Sequence, residues 1–99
     1  MRVKPEFDPE VDDLAPVHPD ITIYDETHFI TYLRLLDAEV DRADWTEVAR
    51  IVLHRDPASD TERTRRCWES HLARAHWMTK IGYRKILEQA VIEARSTRH

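Results

Sequence analysis

Apolar residues recur at helical intervals along much of the chain, and polar stretches separate these segments. The first apolar stripe consists of Phe29, Leu33, Leu36 and Val40, which follow one another at spacings of four, three and four residues. Such spacing places side chains on one face of a helix. It predicts a first helix from Asp25, as its N-cap, to about Arg42, with this stripe facing the core.

The second and third predicted helices begin at N-terminal signals. Asp44 and Glu47 have the spacing of an acidic capping box, which predicts a helix over residues 45–53. A polar connection containing Pro57 follows, and a third helix is predicted over residues 61–79. Its inner face is expected to contain Trp68, Leu72, Ala75 and either Met78 or Thr79.

Gly82 is expected to end the third helix in the left-handed conformation. The stripe of a fourth helix, fraying near Arg95, follows and contains Tyr83, Ile86, Leu87, Ala90 and Val91. The chain has one glycine and no asparagine, the residues that tight hairpin turns favour. We therefore predict an all-α fold, a small four-helix domain over residues 25–95.

Residues 1–24 are predicted to form a flexible acidic leader. Four of the five prolines lie in this segment, and residues 1–26 contain eight acidic and two basic residues. Proline removes a backbone donor and disfavours helix before it, and a high net charge opposes burial. The leader is therefore expected to be disordered or extended.

Charge and helix pattern point to different functions. Arg63, Arg65, Arg66 and Arg74 lie on the third predicted helix, the second of a helix pair, which favours a helix-turn-helix DNA reader. However, the formal net charge of the chain is -4. A DNA-binding domain normally carries surplus positive charge to neutralise phosphates.

The residues that might carry catalysis or bind metal lack the necessary arrangement. His71 and His76 are five positions apart, which places them on different faces of a helix. Cys67 has only His71 at helical reach, and a buried structural thiol is the expected role. We expect no enzyme, cofactor, metal site or small-molecule substrate. One cysteine and no apolar run of about 20 residues predict a cytoplasmic protein without membrane contact.

Four motifs in order carry a family resemblance. They are HxxxYLRLLD from His28, DWxEVARIVL from Asp44, WESHLARA from Trp68 and GYRKIL from Gly82. Together they resemble the extended-turn helix-turn-helix domain shared by the bacterial regulators RovC, FseA and QseM. The resemblance implies a helix-turn-helix variant with an unusually long turn between its two helices.

The resemblance also implies a function. DNA-binding members of this family carry an extra N-terminal domain and a basic face, whereas the small QseM-like members are antiactivators. The latter bind the N-terminal domain of FseA-type activators and are associated with LuxR-type quorum-sensing regulators, and so restrain excision and conjugative transfer of a mobile element. The chain is acidic and short, and Glu69, Ser70, Ala73 and His76 stand where DNA-binding relatives tend to have arginines. The resemblance therefore favours an antiactivator whose DNA binding is weak or absent.

Two sets of candidate residues follow from these alternatives. A protein partner is expected to contact residues of the first helix and of the start of the fourth, namely Tyr24, His28, Tyr32, Asp37, Tyr83 and Arg84. The alternative, a DNA-binding transcription factor acting through the third helix, would use Arg63, Arg65, Arg66 and Arg74. A homodimerising scaffold is a third hypothesis. Trp77 lies off the apolar face of the third predicted helix, and both partial burial and a role in partner binding are compatible with its position.

Overall fold

The computed structural model describes residues 4–82, 88 and 90–94, and the regular structure of these residues is entirely helical. Its helices are α1 (Ile23–Thr27), α2 (Phe29–Val40), α3 (Trp45–Ile51) and α4 (Thr61–Trp77), and α4 continues into a π-helical turn (Met78–Gly82). Residues 88 and 90–94 are also helical, and the remainder of the predicted fourth helix lies outside the described residues. The predicted all-α class is confirmed.

The first predicted helix is in fact two helices, and its N-cap is Thr22 rather than Asp25. Thr22 Oγ1 accepts the Asp25 N–H at 3.1 Å, while the Asp25 carboxylate accepts the Thr22 N–H at 2.8 Å. The helix is interrupted at His28, where ψ is 17°. His28 Nδ1 lies 2.7 Å from the Tyr24 carbonyl oxygen and Nε2 lies 2.6 Å from that of Glu10. Such side-chain bonds to backbone groups compete with regular helix.

Helix α2 buries the predicted apolar stripe only in part: Phe29 and Leu36 pack half-buried against the core, and the fully buried residues lie beside the stripe. Thr31, Tyr32 and Leu35 are buried, whereas Leu33 is 46% exposed and Val40 is 81% exposed. Burial of the polar groups is tolerated because they have partners inside the fold; Tyr32, for example, donates to Asp25 at 2.8 Å. The interior thus selects the face with satisfied polar groups over the more apolar one.

Helices α3 and α4 are joined by residues 52–60, a connection longer than the three or four residues of an ordinary helix-turn-helix. Asp44 is the N-cap of α3, but the predicted capping box does not form. The Asp44 carboxylate instead accepts from the Thr46 hydroxyl, and Glu47 pairs with Arg50. Leu53 is buried within the connection and anchors it. The N-cap of α4 is Asp60, whose carboxylate accepts the Arg63 N–H at 3.1 Å.

The buried face of α4 includes Ala75 and Met78 as predicted, but toward the start of the helix it is rotated from the predicted face. It contains Thr64, Cys67, His71, Arg74 and Ala75, followed by Met78 in the π-helical turn. Trp68 and Leu72, expected on this face, are half-buried at its border. Gly82 lies within the π-helical turn rather than ending the helix in the left-handed conformation. Among the described residues, the left-handed ones are Arg42, after α2, and His54, after α3, with φ of 57° and 56°.

The described part of the leader is extended and packs against the helices. Val11 and Ala15 are buried. The Ala15 N–H donates to Ser70 Oγ on α4 at 3.0 Å, and the Glu6 N–H donates to the Thr27 carbonyl at 3.0 Å. The leader therefore contributes to the core, and its position determines which charges the helices present to solvent.

Candidate functional site

Acidic residues of the leader pair with cations of the helix-turn-helix element. The Asp13 carboxylate lies 2.6 Å from Arg55 in the long connection and 2.9 Å from Arg63 on α4. The hydrogen bonds from Arg63 and then from Arg55 hold the pKa of Asp13 below its usual range. Arg55 also donates to the Val11 carbonyl at 2.6 Å. These contacts attach the leader across the junction between the turn and α4.

A second leader carboxylate, Asp8, makes a similar pair of contacts nearby. It lies 2.8 Å from His54 Nε2 and 3.3 Å from Arg34 on α2. The hydrogen bond from His54 is the main cause that lowers the pKa of Asp8. Both ion pairs are at least one-third exposed, so each contributes little to stability. Their main effect is to neutralise positive charge on this side of the domain.

Arg74, predicted as a DNA contact, is instead the centre of a buried ion pair. Its guanidinium donates to both oxygens of Asp25, at 3.0 and 2.7 Å, and the two side chains are 4% and 0% exposed. Burial raises the pKa of Asp25, but the hydrogen bonds from Arg74, Thr22 and Tyr32 outweigh it, and the pKa lies below its ordinary value. Arg74 also donates to the carbonyl oxygens of His18 and Asp20 in the leader, at 2.7 and 2.9 Å. The residue therefore holds the leader, α1 and α4 together.

Tyr24 lies between two histidines. Its ring stacks on that of His28, with centroids 3.8 Å apart, and its hydroxyl lies 2.6 Å from His71 Nε2. Burial lowers the pKa of His71 and raises that of Tyr24 to about 12, so both groups are neutral. The Tyr24 hydroxyl therefore donates a hydrogen bond to His71 Nε2. His71 Nδ1 then donates to the Cys67 carbonyl at 2.7 Å. The Tyr24 oxygen accepts the Asp12 N–H at 3.0 Å, which ties this cluster to the leader.

His28 completes the cluster by clamping the leader from the other side. Both of its ring nitrogens face carbonyl oxygens, those of Tyr24 and Glu10. Because a carbonyl oxygen only accepts, the imidazole is the donor in each of these hydrogen bonds. The ring is buried. Its role in the structure is therefore to fasten the leader rather than to face a partner.

Arg65 on α4 stacks against two tryptophans at the surface. Its guanidinium carbon lies 5.0 Å from the ring centroid of Trp45 and 4.9 Å from that of Trp68, within cation–π range. It also pairs with Glu69 at 2.6 Å, one helical turn along. These contacts hold the side chain against the α3–α4 junction. They reduce its freedom to reach a phosphate.

The predicted DNA-binding residues are therefore in three different situations. Arg74 is buried; Arg63 and Arg65 are exposed and paired with Asp13 and Glu69 respectively. Arg66 is exposed and forms no ion pair with any other residue of the described chain. Arg74 is therefore unavailable at the surface, and two of the other three arginines are paired with carboxylates.

The predicted partner-binding residues are also not brought together on one surface. Tyr32 and His28 are buried and Tyr24 is half-buried, so the exposure on which their selection rested is wrong for Tyr32 and His28. Asp37 is exposed on α2. Tyr83 and Arg84 lie outside the described residues. Trp77 is half-buried, with the Arg74 guanidinium 3.8 Å from its ring centroid.

Cys67 is a free, buried thiol that contacts the leader. Burial raises the pKa of the Cys67 thiol, which donates to the Asp12 carbonyl at 3.4 Å. No group of three metal-ligating side chains occurs among the described residues. No described helix is long and apolar enough to cross a bilayer.

The residues that sequence reasoning missed are those that bind the leader. The spacing of Thr22 and Asp25 is that of an acidic capping box, a signal that would have identified the true start of α1. No local signal pairs Asp13 with Arg63, because the partners are distant in sequence. In comparisons with known proteins, no protein-family model matches the chain and no curated protein does.

Proposed function

We propose that the protein is a non-enzymatic antiactivator of transcription that binds the N-terminal domain of an FseA-type activator. A LuxR-type quorum-sensing regulator is the alternative protein partner. The consequence would be repression of excision and conjugative transfer of a mobile element in a bacterial cytoplasm. The observation that carries the proposal is the internal pairing of three of the four α4 arginines: Arg74 is buried with Asp25, and Arg63 and Arg65 are neutralised at the surface by Asp13 and Glu69.

Physical reasoning connects this observation to a protein partner. Affinity for DNA depends mainly on the number of phosphates that cations neutralise. Leader and helix carboxylates compete for the same cations here, and Asp25 holds Arg74 inside the fold. By contrast, α2 offers an apolar outer side with the exposed carboxylate of Asp37. Apolar groups bordered by charge suit a protein interface, in which acidic residues steer a basic partner.

The test is calorimetric titration of the full chain with the purified N-terminal domain of the activator. We expect saturable binding that is weakened by the change Asp37→Lys, with Glu62→Lys on α4 as the charge-matched control. Binding weaker than about 1 mM to every such domain would refute the proposal. A LuxR-type regulator as the titrant distinguishes the two partner classes.

DNA binding through α4 remains the competing function because Arg66 is exposed and the Asp13–Arg63 pair is exposed enough to open. Its test is a mobility shift at two salt concentrations. Specific binding with a log–log salt slope that Arg66→Ala reduces by about one would favour this function over the proposal. A shift seen only at low salt and equally with unrelated DNA would count against it.

A further inference from the structure

The outward side of α2 is an apolar surface that the described part of the chain covers only at its border, where Phe29 and Leu36 pack half-buried against the core. We call the α2 outer face the surface formed by Phe29, Ile30, Leu33, Leu36, Asp37 and Val40. Leu33 and Val40 are 46% and 81% exposed, whereas Leu35 on the opposite side is 1% exposed. An apolar stripe along three turns of helix is more than the scattered exposed residues of an ordinary surface. It indicates an interface.

The charges along one edge of this face identify the occupant. At 100° per residue, Arg34 and Asp41 lie on nearly the same line of the helix, and Asp37 lies beside it. Asp37 and Asp41 are exposed and form no ion pair with the rest of the described chain. Arg34 is about one-third exposed and holds only the leader carboxylate of Asp8, at 3.3 Å. The edge therefore has a positive end and a negative end.

The charged edge of α2 is complementary to the same edge of a second copy that runs in the opposite direction. When a two-fold axis stands perpendicular to the plane of two antiparallel α2 helices, the charged edges of both copies lie on the same side of that plane. In the register that places Leu33 against Val40 of a second copy, Arg34 falls between Asp37 and Asp41 of that copy. The rise of 1.5 Å per residue leaves about 3 Å along the axis to each carboxylate. The contact occurs twice, once for each copy.

We infer that the α2 outer face is the interface of a symmetric dimer, in which α2 of two copies packs antiparallel and Arg34 bridges to Asp37 and Asp41 of the second copy. The inference goes beyond the proposed antiactivator function and does not depend on it; because both use the α2 outer face, a second copy and an activator domain would compete for this surface. A basic partner protein would complement only the two aspartates of the edge. A second copy complements all three charges.

The primary experiment measures the mass of the purified full chain by sedimentation equilibrium over a wide concentration range. We expect the mass to rise from the 11.8 kDa of one chain toward that of two chains. Leu33→Asp places a charge in the centre of the interface and should keep the protein at the mass of one chain. Ile51→Asp, at an exposed apolar position on α3, is the control and should dimerise like the unmodified chain.

Charge reversal supplies a second test that does not depend on loss of binding alone. Arg34→Glu makes the edge entirely acidic, and the double change Asp37→Lys with Asp41→Lys makes it entirely basic. Neither variant should self-associate, but an equimolar mixture should dimerise because every pair is again of opposite charge. Asp8→Asn removes the leader contact of Arg34 and should leave the dimer intact, which separates the interface from leader attachment.

The outcomes are decisive in both directions. A mass of one chain for the unmodified protein at every concentration would overturn the inference. A dimer that persists in Leu33→Asp places the interface on another surface and equally overturns it. Should Leu33→Asp fail to fold, as circular dichroism would reveal, the mixed charge-reversal pair decides. Recovery of the dimer in the mixture supports the antiparallel register, and no recovery refutes it.

Discussion

Replacing Arg74 with methionine tests whether this residue is structural or belongs to a DNA-reading surface. The change preserves much of the side-chain volume but removes the cation that Asp25 contacts at 2.7 Å. Because both side chains are at most 4% exposed, the mutation leaves a carboxylate buried without its counter-ion. Removing one partner of a buried ion pair costs about 3–5 kcal/mol. Thr22 and Tyr32 still donate to Asp25, so we expect a loss near about 3 kcal/mol.

The free energy of unfolding is measured by urea denaturation followed by circular dichroism, since Arg74 touches the Trp77 ring and would disturb tryptophan fluorescence. Arg65→Met is the control because its ion pair with Glu69 is roughly half exposed. It should cost less than about 1 kcal/mol. A loss of about 3 kcal/mol is a large part of the stability expected for a domain of this size.

A second substitution separates the loss of the attraction between Arg74 and Asp25 from the cost of leaving the Asp25 carboxylate buried without a counter-ion. Asp25→Asn in the Arg74→Met background removes the buried charge while its amide oxygen still accepts from Tyr32. We expect the double variant to be more stable than Arg74→Met alone, which is the sign of direct coupling. The reasoning is refuted if Arg74→Met costs under about 1 kcal/mol. Loss of DNA binding without loss of stability would place Arg74 on the surface.

Three further predictions concern pH, the leader and the turns. Burial lowers the pKa of His71, so the folded state binds fewer protons than the unfolded state just below about pH 6.5. The free energy of unfolding should therefore fall as pH drops through this range, and it should fall less steeply in His71→Gln. An equal slope in both proteins would contradict a lowered pKa of His71. Asp13→Asn frees Arg55 and Arg63 and should speed cleavage of the leader by a glutamate-specific protease and increase retention on DNA-cellulose at low salt, whereas Asp12→Asn should do neither. Arg42→Gly should raise the free energy of unfolding by up to about 1 kcal/mol because φ is 57° at this position, and a lower stability in urea denaturation would rule out left-handed strain there.

The elements that local signals define were predicted well from the sequence. Asp44 is the N-cap residue of α3 as predicted, although its side chain accepts no backbone N–H, and Pro57 lies in the connection between α3 and α4. Both signals act within a few residues, through the preferences of helix ends or through the restricted backbone of proline. The long turn and the all-α class therefore follow from the sequence without knowledge of tertiary contacts.

The buried faces could not be predicted in the same way. Apolar spacing selected Leu33 and Val40 for the core of α2, but the interior takes Tyr32, whose hydroxyl reaches Asp25. On α4 the buried guanidinium of Arg74 depends on that same carboxylate, which lies 49 residues away in sequence. A polar residue becomes a core residue only when a distant partner satisfies it. Periodicity contains no information about that partner.

The leader reconciles the helix-turn-helix shape with the acidic charge. Three of the four arginines that suggested DNA binding have counter-ions within the chain: Asp13 for Arg63, Glu69 for Arg65 and Asp25 for Arg74. Proteins whose DNA affinity falls steeply with salt make about 6–10 phosphate contacts. On α4, Arg66 has no ion pair among the described residues, and opening the two exposed pairs would bring the arginines available to three. Because most of the arginines of α4 are occupied by carboxylates, the apolar face of α2 is the surface better suited to binding. Such an apolar face suits a protein partner.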